Sequence, residues 1–213
     1  MSEFDLSVTD KLLSTTRSVR KRLDLTRPVP SETLLECLRL AVQAPTGSNS
    51  QGWRWLVITD ADKKRELARL YNEGGRAYLE SAAGQEMDPQ TKRVYESALF
   101  LADVMADVPA LVIPCIEGRV DNNPAMSASL LGSILPATWS LMLALRSRGL
   151  GSAWTTLHLV KEEEAADLLG IPFDSVTQVA LLPVAYTIGT DFKPAKRPPV
   201  EEITYWDTWG ATS

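Results

Sequence analysis

Side chains that ordinarily carry enzymatic chemistry do not occur here in any usable pattern. His158 is the one histidine, so neither a three-histidine metal site nor an HExxH motif can be assembled, and no GxSxG elbow exists for a hydrolase. The phosphate-cradling signatures GxxxxGK[ST] and GxGxxG are missing too. An enzyme with this inventory must borrow its reactivity from a cofactor. Three polar clusters remain. Arg17-Ser18-Val19-Arg20 sets two guanidiniums and a hydroxyl side by side. In an extended chain Ser18 and Arg20 face the same way and could converge on an anion such as a phosphate, while a solvated basic turn has the same composition. Pro45-Thr46-Gly47-Ser48-Asn49-Ser50-Gln51 offers small residues for close backbone approach, hydroxyls and two primary amides. Such a lining suits a flat heteroaromatic, and equally a turn that satisfies its own backbone. Gly149-Leu150-Gly151-Ser152-Ala153-Trp154-Thr155-Thr156-Leu157 is either a helix cap with a turn or a run of backbone amides aimed at a ligand.

The elements that must position these clusters follow from periodicity and punctuation. Leu6 to Thr16 forms a helix, and "PSETLLECLRLAVQA" forms another, with Ser31 as N-cap and Pro45 as stop. "WRWLVITD" is a strand. Asp60 caps a helix that Gly74 and Gly75 are expected to end, which makes Tyr71 to Tyr78, with Glu117 to Met126, irregular candidates for a pocket's outer wall. Asp88-Pro89 opens a helix with Val94, Ala98, Leu101 and Met105 on one face. "PALVIPCIEG" is a strand whose Pro114 lacks an N–H and so belongs at an edge or bulge. An apolar helix runs from about Met126 to Arg148, with Gly149 as its stop. "KEEEAADLLG" is a short helix, "VTQVALLPVAY" one buried strand, and "KPAKRPPVEEITYWDTW" a Pro-rich arm ending in a strand-like "ITYW" that would pack on another subunit. Helices and strands do not alternate as regular βαβ units, so one α+β domain over residues 1–213 is expected.

Composition narrows the function classes. With 45% hydrophobic and 23% charged residues and a net charge of -5, the chain suits a globular protein without a nucleic-acid-binding face. Ala128 to Leu145 is uncharged over nearly a membrane span, yet Ser129, Ser133, Thr138, Ser140 and Pro136 fit a buried core helix better, and no membrane partner is expected. The acidic start "MSEFDLSVTDKLL" lacks a secretory pattern, pointing to a cytoplasmic protein, where Cys37 and Cys115 would be buried free thiols.

In order, "TRSVRKRL", "APTGSNSQGWRWLVI", "RGLGSAWTTLH" and "KPAKRPP" resemble the nitroreductase family of FMN oxidoreductases, over roughly Leu12 to Trp206, with P-[ST]-x-x-N-x-Q-x-W as the most specific motif. The resemblance implies a three-layer α+β subunit whose central, mainly antiparallel sheet is wrapped by helices. It also implies an intertwined homodimer with C-terminal arm exchange and FMN bound at the subunit interface. Arg17 and Ser18 would hold the flavin phosphate and Arg20 would reach the ring, while Pro45, Thr46, Gly47, Asn49 and Gln51 would approach from the partner subunit. Trp154, Thr155, Thr156 and Leu157 would lie beside the isoalloxazine, with the Thr156 backbone N–H near N5. Lys196 and Arg197 would complete the phosphate site, and Asn72 or Arg76 would add a ring contact. No catalytic side chain is implied, since hydride would pass from NADPH or NADH through flavin N5 to a small acceptor such as a nitroaromatic or quinone. A flavin store or sensor without turnover, and relatives that dehalogenate or cleave a flavin, are the rival expectations. His158 would be a hydrogen-bonded structural residue, and Trp53, Trp55, Trp139 and Trp206 core or interface residues.

Overall fold

The structure, a computed structural model, describes residues 3–212. Among these are six α-helices and five strands. In chain order they are α1 (Leu6–Thr15), α2 (Ser31–Ala41), β1 (Trp53–Ile58), α3 (Ala61–Ala83), α4 (Pro89–Val104), β2 (Ala110–Glu117), α5 (Pro124–Ser147), β3 (Leu150–Ser152), α6 (Glu162–Leu169), β4 (Val176–Gln178) and β5 (Leu182–Tyr186). They fall into two compact units. Residues 17–190 hold the sheet and α2 to α6, and the other unit joins α1 to the C-terminal arm.

The sheet is antiparallel throughout, in the order β1-β2-β5-β3 with β4 beside β2, so the fold is α+β as expected. β2 is buried along its length except at Glu117, which requires both faces of the sheet to be covered. On one face Ala110, Val112 and Val184 meet Leu34 and Cys37 of α2 and Leu141 and Leu145 of α5. Among the described residues α5 is the one helix long and apolar enough to cross a membrane, and here Ile134, Ala137, Leu141 and Leu145 put it in the core. Both cysteines are free and buried, and burial pushes the Cys115 thiol up to about 12.

Helix starts follow their caps: Asp60 accepts from Lys63 N–H, and Asp88 accepts from the N–H groups of Gln90 and Thr91 just ahead of Pro89. Gly170, with φ of 69°, closes α6 in the left-handed conformation.

Three sequence expectations need correction, and a fourth holds in part. Pro114 lies in a central strand rather than at an edge, paired with Trp55 on one side, but at a bulge: Val112 pairs with Leu182 and Cys115 with Gln178, one extra residue in the partner strand. Its carbonyl accepts from Val179 N–H at 3.0 Å on the other side, where β5 gives way to β4, so the side facing β1 loses no ladder bond. "VTQVALLPVAY" is two strands, because Leu181 turns away to exchange backbone hydrogen bonds with Thr155 at 3.2 and 2.8 Å. "ITYW" is no strand, for Val200–Ile203 is a 3-10 turn and no described strand pairs with the residues after it. Gly74 and Gly75 do not end α3, which runs to Ala83, so Tyr71 to Tyr78 is helical. Their lack of side chains serves packing instead: a Cβ on Gly74 would lie 2.3 Å from the Leu157 carbonyl oxygen, and one on Gly75 2.5 Å from Leu157 Cδ1.

Opposing effects therefore decide glycine-to-alanine changes inside this helix and at its C-cap, Gly84. Alanine gains about 1 kcal/mol of helix propensity, whereas forcing a methyl against backbone costs about 1–3 kcal/mol. Gly74→Ala is expected to lower the thermal midpoint, while Gly84→Ala, whose Cβ would meet its nearest neighbour at 3.5 Å, is expected to leave it unchanged or raise it. Thermal unfolding followed by circular dichroism checks the contrast.

Candidate functional site

The first and third polar clusters meet at the β3 edge of the sheet. Ser18 bridges Ser152 in parallel, Val19 N–H donates to the Ser152 carbonyl at 2.9 Å, and Leu23 bridges Thr187, so the segment is held at both ends. Gly151 makes the approach possible, since a Cβ there would lie 2.9 Å from Val19 Cβ and 2.7 Å from Thr187 Cγ2. The pairing leaves Arg17 and Ser18 exposed and Arg20 half-buried.

Arg20 has unusual surroundings for a cation. Its Nη1 donates to Ser97 Oγ of α4 at 3.2 Å, Tyr71 of α3 lies beside it, and no carboxylate pairs with it among the described residues. Its Nε is sealed from solvent without an acceptor. Burial accordingly pulls the Arg20 guanidinium below its usual value, with Tyr71 acting the other way. Tyr71 is 2% exposed. Burial pushes its phenol up, and hydrogen bonding with Thr155 and the charge of Arg20 partly offset that. Thr155 is anchored in turn, its hydroxyl donating to the Leu181 carbonyl at 2.6 Å.

The third cluster changes character at its end. Trp154 packs half-buried against the core, Thr155 is buried, and Thr156 is exposed with a backbone N–H that donates to no described residue. Leu157 then opens the 3-10 turn Leu157–Lys161, clasped by Gly74 and Gly75 of α3. An open N–H next in sequence to Thr155, which hydrogen-bonds the Tyr71 beside Arg20, suits an electron-rich or anionic ligand.

Pro45 to Gln51 stands at the opposite edge, just ahead of β1. Three strand-to-strand steps of about 4.8 Å separate the two edges, about 14 Å. Gly47 N–H donates to Ser133 Oγ of α5 at 2.9 Å, and Trp53 Nε1 donates to the Ser133 carbonyl at 2.7 Å, so the loop is pinned from below. Ser48, Asn49 and Gln51 have φ of 52°, 53° and 52°. Left-handed backbone costs a side-chain-bearing residue on the order of 1 kcal/mol, and such strain concentrates at binding sites. Gln51 Nε2 donates to Asn49 Oδ1 at 2.9 Å and Gln51 N–H to Thr46 Oγ1 at 3.3 Å, which leaves the exposed outer edges of both amides for a ligand.

Other expected residues lie elsewhere or are already engaged. Asn72 Nδ2 donates to the carbonyls of Ala68 and Ala102 at 2.8 and 3.0 Å, and Arg76 pairs with Glu80 and Asp103 at 2.7 Å each, so both serve the α3–α4 contact. Lys196 and Arg197 belong to the other unit, where both are exposed. Trp53 and Trp55 pack on the core, whereas Trp139 and Trp206 are 42% and 60% exposed. Ser97 went unmarked by sequence reasoning, although a hydroxyl one position from Ala98 on the predicted inner face of α4 was the available signal. No cluster of His, Cys, Asp and Glu among the described residues could hold a metal.

An antiparallel α+β protein that sets a half-buried cation and an open backbone N–H at one sheet edge, and strained amides at the other, fits the class of cofactor-binding proteins. The chain belongs to the nitroreductase family, whose sequence pattern, described as "Nitroreductase family", matches residues 13–186. It is similar to an iodotyrosine deiodinase of Thermotoga neapolitana, at 27% identity over 197 residues, covering 92% of this chain and 97% of that one. A protein of Thermus thermophilus named NADH dehydrogenase is 28% identical over 205 residues, covering 89% and 91%. A crystal structure of oxidised iodotyrosine deiodinase bound to FMN and 3-iodo-L-tyrosine superposes with a TM-score of 0.71 at 25% identity, covering 94% and 99%.

His158 corrects one expectation. It is structural in the sense of being fully buried, but neither ring nitrogen finds a hydrogen-bond partner among the described residues. Burial holds it down to about 4, with Glu162 acting the other way. An imidazole that resists protonation when folded makes the unfolded state the better proton binder between pH 6.5 and 4. Stability is therefore expected to be full above about pH 6.5 and to fall by up to about 3 kcal/mol as pH drops through 4, near the turn that carries Leu157. Urea unfolding across that range checks this, and His158→Phe should flatten the fall relative to the native chain.

Proposed function

We propose that this protein is an FMN-dependent oxidoreductase that passes hydride from NADPH or NADH to an oxidised small molecule such as a nitroaromatic or quinone. Membership of the nitroreductase family supports the flavin-dependent class, and the name of the Thermus thermophilus relative supports a nicotinamide donor. One observation carries the reading: Arg20 is a half-buried cation with no counter-charge among the described residues, its Nε lacks an acceptor there, and it adjoins a segment whose Thr156 N–H donates to no described residue. Those residues fit the pyrimidine end of a flavin, which becomes anionic on reduction. Arg17 and Ser18 are assigned to its phosphate. Trp154, Thr155, Thr156 and Leu157 are assigned to the ring, with Thr156 N–H toward N5. Bound FMN supplies the atom that accepts and releases hydride, so side-chain acid–base groups are not required.

The site takes two copies of the chain. Pro45, Thr46, Gly47, Asn49 and Gln51 stand across the sheet from Arg20, so in a homodimer each loop serves the flavin of the other subunit. Met126, Leu135 and Trp139 leave apolar surface exposed along α5, which suits cover by a second copy. Exchange of the C-terminal arms is part of the same assembly.

Reductive dehalogenation is the second reading, favoured by the similarity to iodotyrosine deiodinases. A single set of spectra separates the outcomes. Under anaerobic conditions NADH or NADPH is expected to bleach the flavin band, and a nitroaromatic or quinone to restore it. Restoration by 3-iodotyrosine with release of iodide would favour dehalogenation, and a colour that survives saturating nicotinamide would leave a flavin store. Arg20→Ala is expected to weaken FMN binding about tenfold or more, from the roughly 1.5–3 kcal/mol of a hydrogen bond to a charged group. Fluorescence titration measures that loss.

A further inference from the structure

α4 has no role in the proposed flavin site, yet among the described residues it supplies the one side chain that hydrogen-bonds Arg20. Ser97 lies 77 positions from Arg20 and accepts from its Nη1 at 3.2 Å. The hydroxyl proton of Ser97 is committed elsewhere, to the Val94 carbonyl at 2.8 Å, so its lone pairs are turned to the guanidinium. α4 is itself fixed on α3 by Asn72 to Ala102, by the Arg76–Asp103 pair at 2.7 Å, and by the Tyr78 and Tyr95 hydroxyls at 3.2 Å. α3 sits against Leu157 through Gly74 and Gly75, and Leu157 continues from β3, against which the Arg20 segment is paired. The contacts close a ring around Arg20, and Ser97 is the member that touches its charge.

We propose that Ser97 is a positioning residue for Arg20. It holds the guanidinium through a neutral oxygen, so that the positive charge stays uncompensated and the pocket binds reduced flavin more tightly than oxidised flavin. The inference rests on the FMN reading above. An aspartate at this position would hold the same nitrogen while cancelling the charge, and a serine avoids that. Ordinary packing against α4 would not distinguish the two, because both side chains are small and polar.

The experiment measures the midpoint potential and the affinity of FMN in the whole protein and in Ser97→Asp, Ser97→Ala and Ser97→Thr. Ser97→Asp is expected to lower the ratio of reduced to oxidised flavin affinity at least tenfold, about 30 mV more negative for two electrons. Ser97→Ala should weaken FMN binding about fivefold, as for one lost hydrogen bond, and move the potential the same way by less. Ser97→Thr keeps the hydroxyl and should stay within about twofold of the native chain on both measures. Native protein that takes up no FMN sinks the functional reading and this inference with it. Native protein that binds FMN while Ser97→Asp and Ser97→Ala leave the potential unchanged overturns this inference alone.

Discussion

A half-buried guanidinium met by neutral oxygens is a costly thing to fold, and the surroundings of Arg20 are arranged to tolerate it. Partial burial removes water from the charge, Ser97 and Tyr71 return only dipoles, and no carboxylate among the described residues neutralises it. Such a residue persists when the elements around it over-determine its place. Here β3 fixes the Arg20 segment through Ser152, α3 packs on the turn after β3, and α4 packs on α3 and reaches back to Arg20. Each of these contacts depends on a small residue: Gly151 admits Val19, Gly74 and Gly75 admit Leu157, and Ser97 admits the guanidinium.

The sheet explains why the polar clusters divide between its two edges. β2 and β5 are central and shielded on both sides, so their side chains fill the core and leave none for a ligand. Polar chemistry is pushed to the ends of β1 and β3. Pro45 to Gln51, strained at Ser48, Asn49 and Gln51 and pinned to Ser133, faces outward from one edge, and Arg20 with Thr156 lies at the other. A pocket built from both edges needs a second molecule, which links the antiparallel topology directly to the proposed assembly. Strain in the loop and uncompensated charge at Arg20 are both unfavourable in the isolated chain, and a shared ligand would relieve both at once.

His158 illustrates a different use of the interior. Both ring nitrogens lack described partners, and the residue remains neutral well below the usual imidazole range. It sits on the turn that continues from Thr156, so the cost of protonating it falls on an element next to the open N–H. Cys115, high in pKa and buried near Glu162, shares that interior without reactivity of its own.

Local chemistry was enough to set much of this in the sequence. Asp60, Asp88 and Gly170 mark helix ends because capping is decided within a few residues, and the three polar clusters stand out by composition and by their order along the chain. The absence of triads, elbows and metal ligands likewise belongs to the sequence, and it points to borrowed reactivity. Long-range partners could not be read in the same way. Whether Gly74 and Gly75 stop a helix or seat it against Leu157, whether Pro114 marks an edge or a strand junction, and which side chain meets Arg20 all depend on residues tens of positions away. Sequence determined which groups are present and where the chain turns. Tertiary structure decided which of them share a space, because burial, counter-charge and close approach are properties of pairs that only folding brings together.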